Sequence, residues 1–177
     1  MSLVQRIFVS GAIAFTPFLQ AFELTSNDIQ EGQQLSSAFV FNGFGCSGEN
    51  HSPQLSWSNA PKGTKSFAVT VYDPDAPSVS GWWHWNIVDI PASTTNIKQG
   101  QSTESLKATA ITNDFGTKAF GGACPPKGHG MHRYQFTVWA LPYEKMSLPE
   151  NPQAALVGYM LNQDTLGMAR ITATYSR

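Results

Sequence analysis

Apolar positions along the chain fall into short runs that end at proline, the pattern of strands rather than of long helices. Ser66 to Tyr72 (SFAVTVY) is β-rich and partly alternating, and it stops at Asp73-Pro74. Trp85 to Ile90 (WNIVDI) reads as a second strand ended by Pro91, and Tyr134 to Leu141 (YQFTVWAL) as a third, closed by Pro142. Leu35 to Phe41 and Ala169 to Tyr175 are predicted as outer strands. One stretch predicts a helix, with Asn151 as N-cap, Pro152 at the first helical position, and Gln153 through about Gln163 following. The expected domain is mainly β, with one late helix.

The loops between these runs are long and compositionally distinct. Residues 42–53 (NGFGCSGENHSP) and 113–132 (NDFGTKAFGGACPPKGHGMH) gather glycine, proline, both cysteines and three of the four histidines. Long ordered loops on a β scaffold usually carry function, because ordering them costs entropy with little core in return. No internal repeat, low-complexity tract or linker divides residues 22–177, which are expected to form one domain.

Composition narrows the function classes. Charged residues are only 13% of the chain against 41% apolar, which excludes a disordered chain. With 11 Lys+Arg against 12 Asp+Glu, no overall field favours nucleic acid or an anionic membrane, so any anion binding is local. At the N-terminus, Arg6 is the only charge before Glu23; the apolar run Ile7 to Phe15 follows, then Pro17 and a small residue at Ala21. This three-part plan predicts a signal peptide over residues 1–21 and a periplasmic or secreted domain over 22–177. No other segment is long and apolar enough to cross a membrane. In an exported protein the even count, Cys46 and Cys124, suggests a disulfide, and the absence of C-x-x-C argues against a redox motif or zinc site.

Two constellations can carry chemistry. A chain leaving a strand at Asp73 and re-entering one near His84 brings carboxylate and imidazole to one sheet end, and that pairing favours an imidazolium that attracts anions. Asp75 is expected to serve turn geometry, Trp83 and Trp85 packing. The second constellation is Gly121 to Gly128 (GGACPPKG) followed by His132-Arg133-Tyr134. Glycines let backbone N–H groups approach a ligand closely, and His132 and Tyr134, two apart in a strand, face the same side. No G-x-S-x-G elbow and no zincin spacing of histidines occurs, so neither a catalytic triad, a metal nor another cofactor is expected. A weak hydrolase using Asp73 and His84 is a rival reading.

Four motifs in this order, YDPDAP (72–77), GWWHW (81–85), ACPPKG (123–128) and HRY (132–134), resemble the phosphatidylethanolamine-binding protein (PEBP, Raf kinase inhibitor-like) family. NDFG (113–116) resembles its bacterial branch. The resemblance implies a large antiparallel sheet packed on a smaller one, one or two peripheral helices, and a shallow pocket for phosphate-like anions or phosphorylated headgroups. Carried over by motif, the ligand-binding residues are Asp73, Ala76, Pro77, Trp82, His84, Gly122, Pro125, Pro126, His132 and Tyr134. His84, His132 and Tyr134 are expected to donate to the anion, Asp73 to orient a histidine, Trp82 to form an apolar wall, and Gly122 to supply backbone donors. Cys124 stands where eukaryotic members usually have glycine; bonded to Cys46, it would tie loop 42–53 to the pocket. The eukaryotic C-terminal helix is not expected after Tyr175. The family also implies a rival function, a kinase- or protease-inhibiting interaction module. Exposed aromatics on a two-layer β fold add the expectation of a homodimer.

Overall fold

The computed structural model of the chain describes residues 20–177, so the expected leader, apart from Gln20 and Ala21, lies outside the described residues. In chain order the strands are β1 (Glu23–Thr25), β2 (Asn42–Gly43), β3 (Cys46–Ser47), β4 (Leu55–Ser58) and β5 (Ser66–Asp73). They continue with β6 (Trp82–Pro91), β7 (Asn96–Ile97), β8 (Thr109–Ala110), β9 (His132–Leu141), helix α1 (Ala154–Asp164) and β10 (Gly167–Tyr175). A five-stranded sheet has the order β10-β9-β5-β6-β8 and a three-stranded sheet the order β1-β4-β7, with β2-β3 a separate hairpin. All these pairings are antiparallel. The mainly β fold, a large sheet on a smaller one with a single helix, is as the sequence predicts.

Why the central strands read as apolar runs rather than clean alternations is now plain: both faces of the large sheet are covered. Val69 and Val71 of β5 and Phe136 and Val138 of β9 meet Leu24, Leu55, Trp57 and Ile97 of the small sheet. The opposite face, with Ala68, Val88, Trp139 and Leu141, packs on Val157 and Leu161 of α1. Burying side chains of both phases removes the polar half of the alternation.

Two sequence expectations fail locally. Leu35 to Phe41 is not a strand. Ser37–Phe39 forms a 3₁₀ turn, and only isolated bridges at Gln34 with Thr174 and at Val40 with Ala123 remain. Leu35 N–H donates to Thr174 O of β10 at 2.8 Å, but beyond it the backbone pairs with the pocket loop, with Ala123 N–H donating to Phe39 O and Phe41 N–H to Ala123 O, each at 3.0 Å. Its apolar side chains are buried under the pocket loop, which a propensity reading takes for a strand. Asn151 is not the helix cap. It adopts left-handed backbone (φ 51°), and extended Gln153 (φ −75°, ψ 144°) takes the cap position after Pro152.

Candidate functional site

β5 ends at Asp73 and β6 begins at Trp82, so the turn between them sits at one end of the large sheet. Asp73 accepts the Asp75 N–H on Oδ1 at 2.8 Å, closing the turn around Pro74. Tyr72 Oη donates to Ser80 O at 2.8 Å from the other side. Gly81 (φ 68°) completes the turn, because a Cβ there would collide with the Tyr72 hydroxyl.

The pairing of β5 with β6 is irregular where it matters. Val71 stands opposite Trp85 and Tyr72 opposite Trp83, so His84 is the extra residue of a β-bulge. Its backbone therefore pairs with the pocket loop: Gly121 N–H donates to His84 O at 3.0 Å, and so does Asn113 Nδ2. Its side chain turns into the sheet end, where Nδ1 lies 2.7 Å from Gly121 O. A carbonyl only accepts, so Nδ1 carries the proton and Nε2 is left without a partner among the described residues. Burial holds the His84 imidazolium below its ordinary range, and the Gly121 carbonyl and Asp73 charge do not offset it. His84 is neutral near pH 7.

Asp73 consequently does not orient His84. Its Oδ2 accepts His132 Nδ1–H at 2.7 Å, at the start of β9. His132 Nε2 in turn lies 2.8 Å from His129 Nδ1, so both His132 nitrogens are engaged within the protein. Tyr134, two positions on, projects to the same side and meets the His84 ring edge-on at 5.1 Å. Burial, reinforced by the Asp73 charge, pushes its phenol far above the usual range, so it stays a hydroxyl. Tyr134 Oη and Trp82 Nε1 are both buried and without a hydrogen-bond partner among the described residues.

Asp73, Ala76, Pro77, Trp82, His84, Pro125, Pro126, His132 and Tyr134 line one cavity of about 180 Å³. Gly122 does not. Its N–H is committed to Asn50 Oδ1 at 2.7 Å, and a Cβ would stand 2.5 Å from Phe39 O, so it serves loop packing one layer behind the wall. Phe44, Phe115 and Cys124 join the lining. The Phe115 ring stacks on Phe41 at 4.4 Å and on Phe44 at 5.9 Å. The sequence signal for the two phenylalanines was present, a Phe-Gly pair in each long loop, but it carried no direction. Among the described residues, no lysine or arginine lines this cavity.

With this geometry in place, the family model for phosphatidylethanolamine-binding protein matches residues 25–176. The chain belongs to that family. The UPF0098 protein YbcL of Escherichia coli (strain K12) is 51% identical over 180 residues, 97% of this chain and 98% of its own length. YbhB from the same organism is 45% identical over 158 residues, 87% of this chain and 99% of its own. The crystal structure of E. coli YbcL superposes with a TM-score of 0.83 at 53% identity, over 88% of this chain and 98% of that one. The resemblance carried by the four motifs thus holds over the fold as well.

In this PEBP-family chain the disulfide is formed: Cys46 and Cys124, 78 positions apart, are bonded. The bridge joins the β2-β3 hairpin to the Pro125-Pro126 loop and fixes the Phe44 side of the cavity. Asp75, expected to serve the turn, also buckles the turn to β9 by accepting Arg133 Nε and Nη2 at 2.8 and 2.7 Å. Trp83 and Trp85 are packing residues, as expected: Trp83 lies on Gly158 of α1, and Trp85 meets Phe120 edge-on at 5.8 Å. A larger cavity, about 490 Å³, lies behind the pocket loop and contains none of the predicted site residues. Its Gln101 and Ser102 side chains bond within their own turn. The smaller cavity is the better site, because it holds buried donors that lack partners. Among the described residues, no helix is long and apolar enough to cross a membrane.

Proposed function

We propose that this PEBP-family protein is a non-enzymatic binding protein whose 180 Å³ cavity takes a small oxyanion, either phosphate-like or the phosphate of a phosphorylated headgroup. The observation that carries this reading is the pair of buried donors without a partner among the described residues, Trp82 Nε1–H and Tyr134 Oη–H, beside the His84 Nε2 lone pair, which accepts from a protonated anion oxygen. Leaving each donor unpaired costs about 1–3 kcal/mol, a debt that a ligand with several acceptor oxygens repays. A carboxylate and two imidazoles without lysine or arginine favour a small anion that is protonated or held largely by neutral donors. The bond of Asp73 to His132 rather than to His84 supports the binding reading over a hydrolase built on Asp73 and His84. The Cys46–Cys124 bridge supports an oxidising compartment, hence a periplasmic or secreted setting.

Calorimetric titration with inorganic phosphate and with phosphoethanolamine at pH 6 and pH 8 tests this. Binding is expected at pH 6 and weaker at pH 8, with phosphoethanolamine exceeding phosphate if a headgroup is the ligand. No heat at either pH, or affinity unchanged in His84→Ala/Tyr134→Phe, would sink the reading.

A further inference from the structure

The oxyanion reading gives His129 no role. His129 belongs to the loop before β9, and its Nδ1 meets His132 Nε2 at 2.8 Å, while His132 Nδ1–H is bound to Asp73 Oδ2 at 2.7 Å. The result is a row of three groups, Asp73–His132–His129, running from the buried sheet end to the surface. Asp73 and His132 are 3% and 1% exposed, whereas His129 is exposed. Because the carboxylate accepts from His132 Nδ1, neutral His132 presents a lone pair on Nε2, and His129 Nδ1 is then the donor. The row carries one negative charge in that state. A proton from solvent can be added at the outer nitrogen of His129 without breaking either internal hydrogen bond, and it brings the row to neutrality. Gly128 (φ 76°) and Gly130 (φ 98°) flank His129 with open space where side chains would stand. The other charged or titratable groups around the row are Asp75, Lys127, Arg133, Arg177 bonded to the loop at Pro125 and Gly128, Tyr175 opposite His132 in the β9–β10 register, and His84 and Tyr134 across the cavity. Of these Asp75 and Arg133 offset one another in a salt bridge.

We propose that His129 is the proton-uptake residue of the pocket: an oxyanion entering the cavity draws a proton from solvent onto the His129–His132 pair, with Asp73 as its counter-charge. This rests on the oxyanion reading and assigns its proton linkage to a residue outside the family motifs and outside the cavity wall. His84 is the obvious competitor, but it is fully enclosed and charging it costs desolvation, whereas His129 takes its proton at the surface.

Calorimetry with sulfate, which stays dianionic across the range, in buffers of different ionisation enthalpy at pH 7 reads the protons taken up per anion. The wild type is expected to take up about one proton, with affinity rising about tenfold per pH unit of acidification where the linkage is complete. His84→Asn binds more weakly yet keeps the uptake. His129→Gln, which keeps a donor to His132 but cannot titrate, loses both the uptake and the pH slope. Equal uptake in wild type and His129→Gln, or sulfate binding without uptake in wild type, overturns this inference while leaving the pocket reading intact. Failure of the wild type to bind sulfate or phosphate overturns both.

Discussion

Asp73 and His132, 59 positions apart, are joined by a 2.7 Å hydrogen bond whose two side chains are 4% and 1% exposed. The carboxylate thus does double service, closing the turn after β5 with one oxygen and fixing the His132 ring at the start of β9 with the other. Removing it leaves a buried imidazole N–H and the Asp75 N–H unpaired together. Asp73→Ala is expected to cost about 3 kcal/mol, measured by urea denaturation. A loss below about 1 kcal/mol would mean that water replaces the carboxylate at little cost.

Tyr134 and Trp82 predict that stability and binding move in opposite directions. Tyr134→Phe deletes a buried hydroxyl that has no partner among the described residues, so the ligand-free protein is expected to gain about 1 kcal/mol. The same change removes a donor to the ligand and should weaken phosphate binding about tenfold. Parallel thermal denaturation and calorimetry check it, and a variant that loses both stability and affinity contradicts the assignment.

The pH dependence of folding follows from His84. Its folded-state proton affinity is depressed by burial below the ordinary 6.5, so the unfolded chain binds more protons at acid pH. Stability should therefore rise as pH increases from the depressed folded value toward 6.5 and be fully present above it. His84→Asn keeps a donor for the Gly121 carbonyl but does not titrate. Urea midpoints from pH 4.5 to 8 should show a flatter acid limb in this variant, and an unchanged limb would assign the slope to other groups.

The disulfide makes a separate prediction. A bridge between positions 78 apart should contribute about 4 kcal/mol on the chain-entropy account. Reduction, or the Cys46→Ser/Cys124→Ser pair, is expected to lower the unfolding midpoint by a corresponding amount. Anion affinity should fall too, because Phe44 and Cys124 lose their fixed place in the cavity wall. Unchanged affinity in a folded double variant would limit the bridge to a stabilising role.

Most of the strands were legible along the chain, because apolar runs bounded by proline carry their own limits: β5, β6, β9 and β10 all contain the predicted segments. The late helix was legible to within one residue at its end and two at its start, and nine of the ten residues carried over by motif line the cavity, beside Phe44, Phe115 and Cys124. These are local or motif-borne facts, legible wherever a residue's neighbours in the chain decide its conformation. The tertiary structure alone decided which histidine Asp73 holds. A bulge is counted against the partner strand, so nothing in Gly81 to Trp85 announces that His84 is the unpaired residue and turns to Gly121. It decided that the backbone beyond Leu35 turns from the sheet edge to pair with the pocket loop, and that the Gly122 N–H donates to Asn50. It also joined His129 to His132 and brought Phe44 and Phe115 to the cavity mouth. Each of these turns on long-range register and loop closure, where the free energy lies in contacts between distant residues and local propensity does not decide.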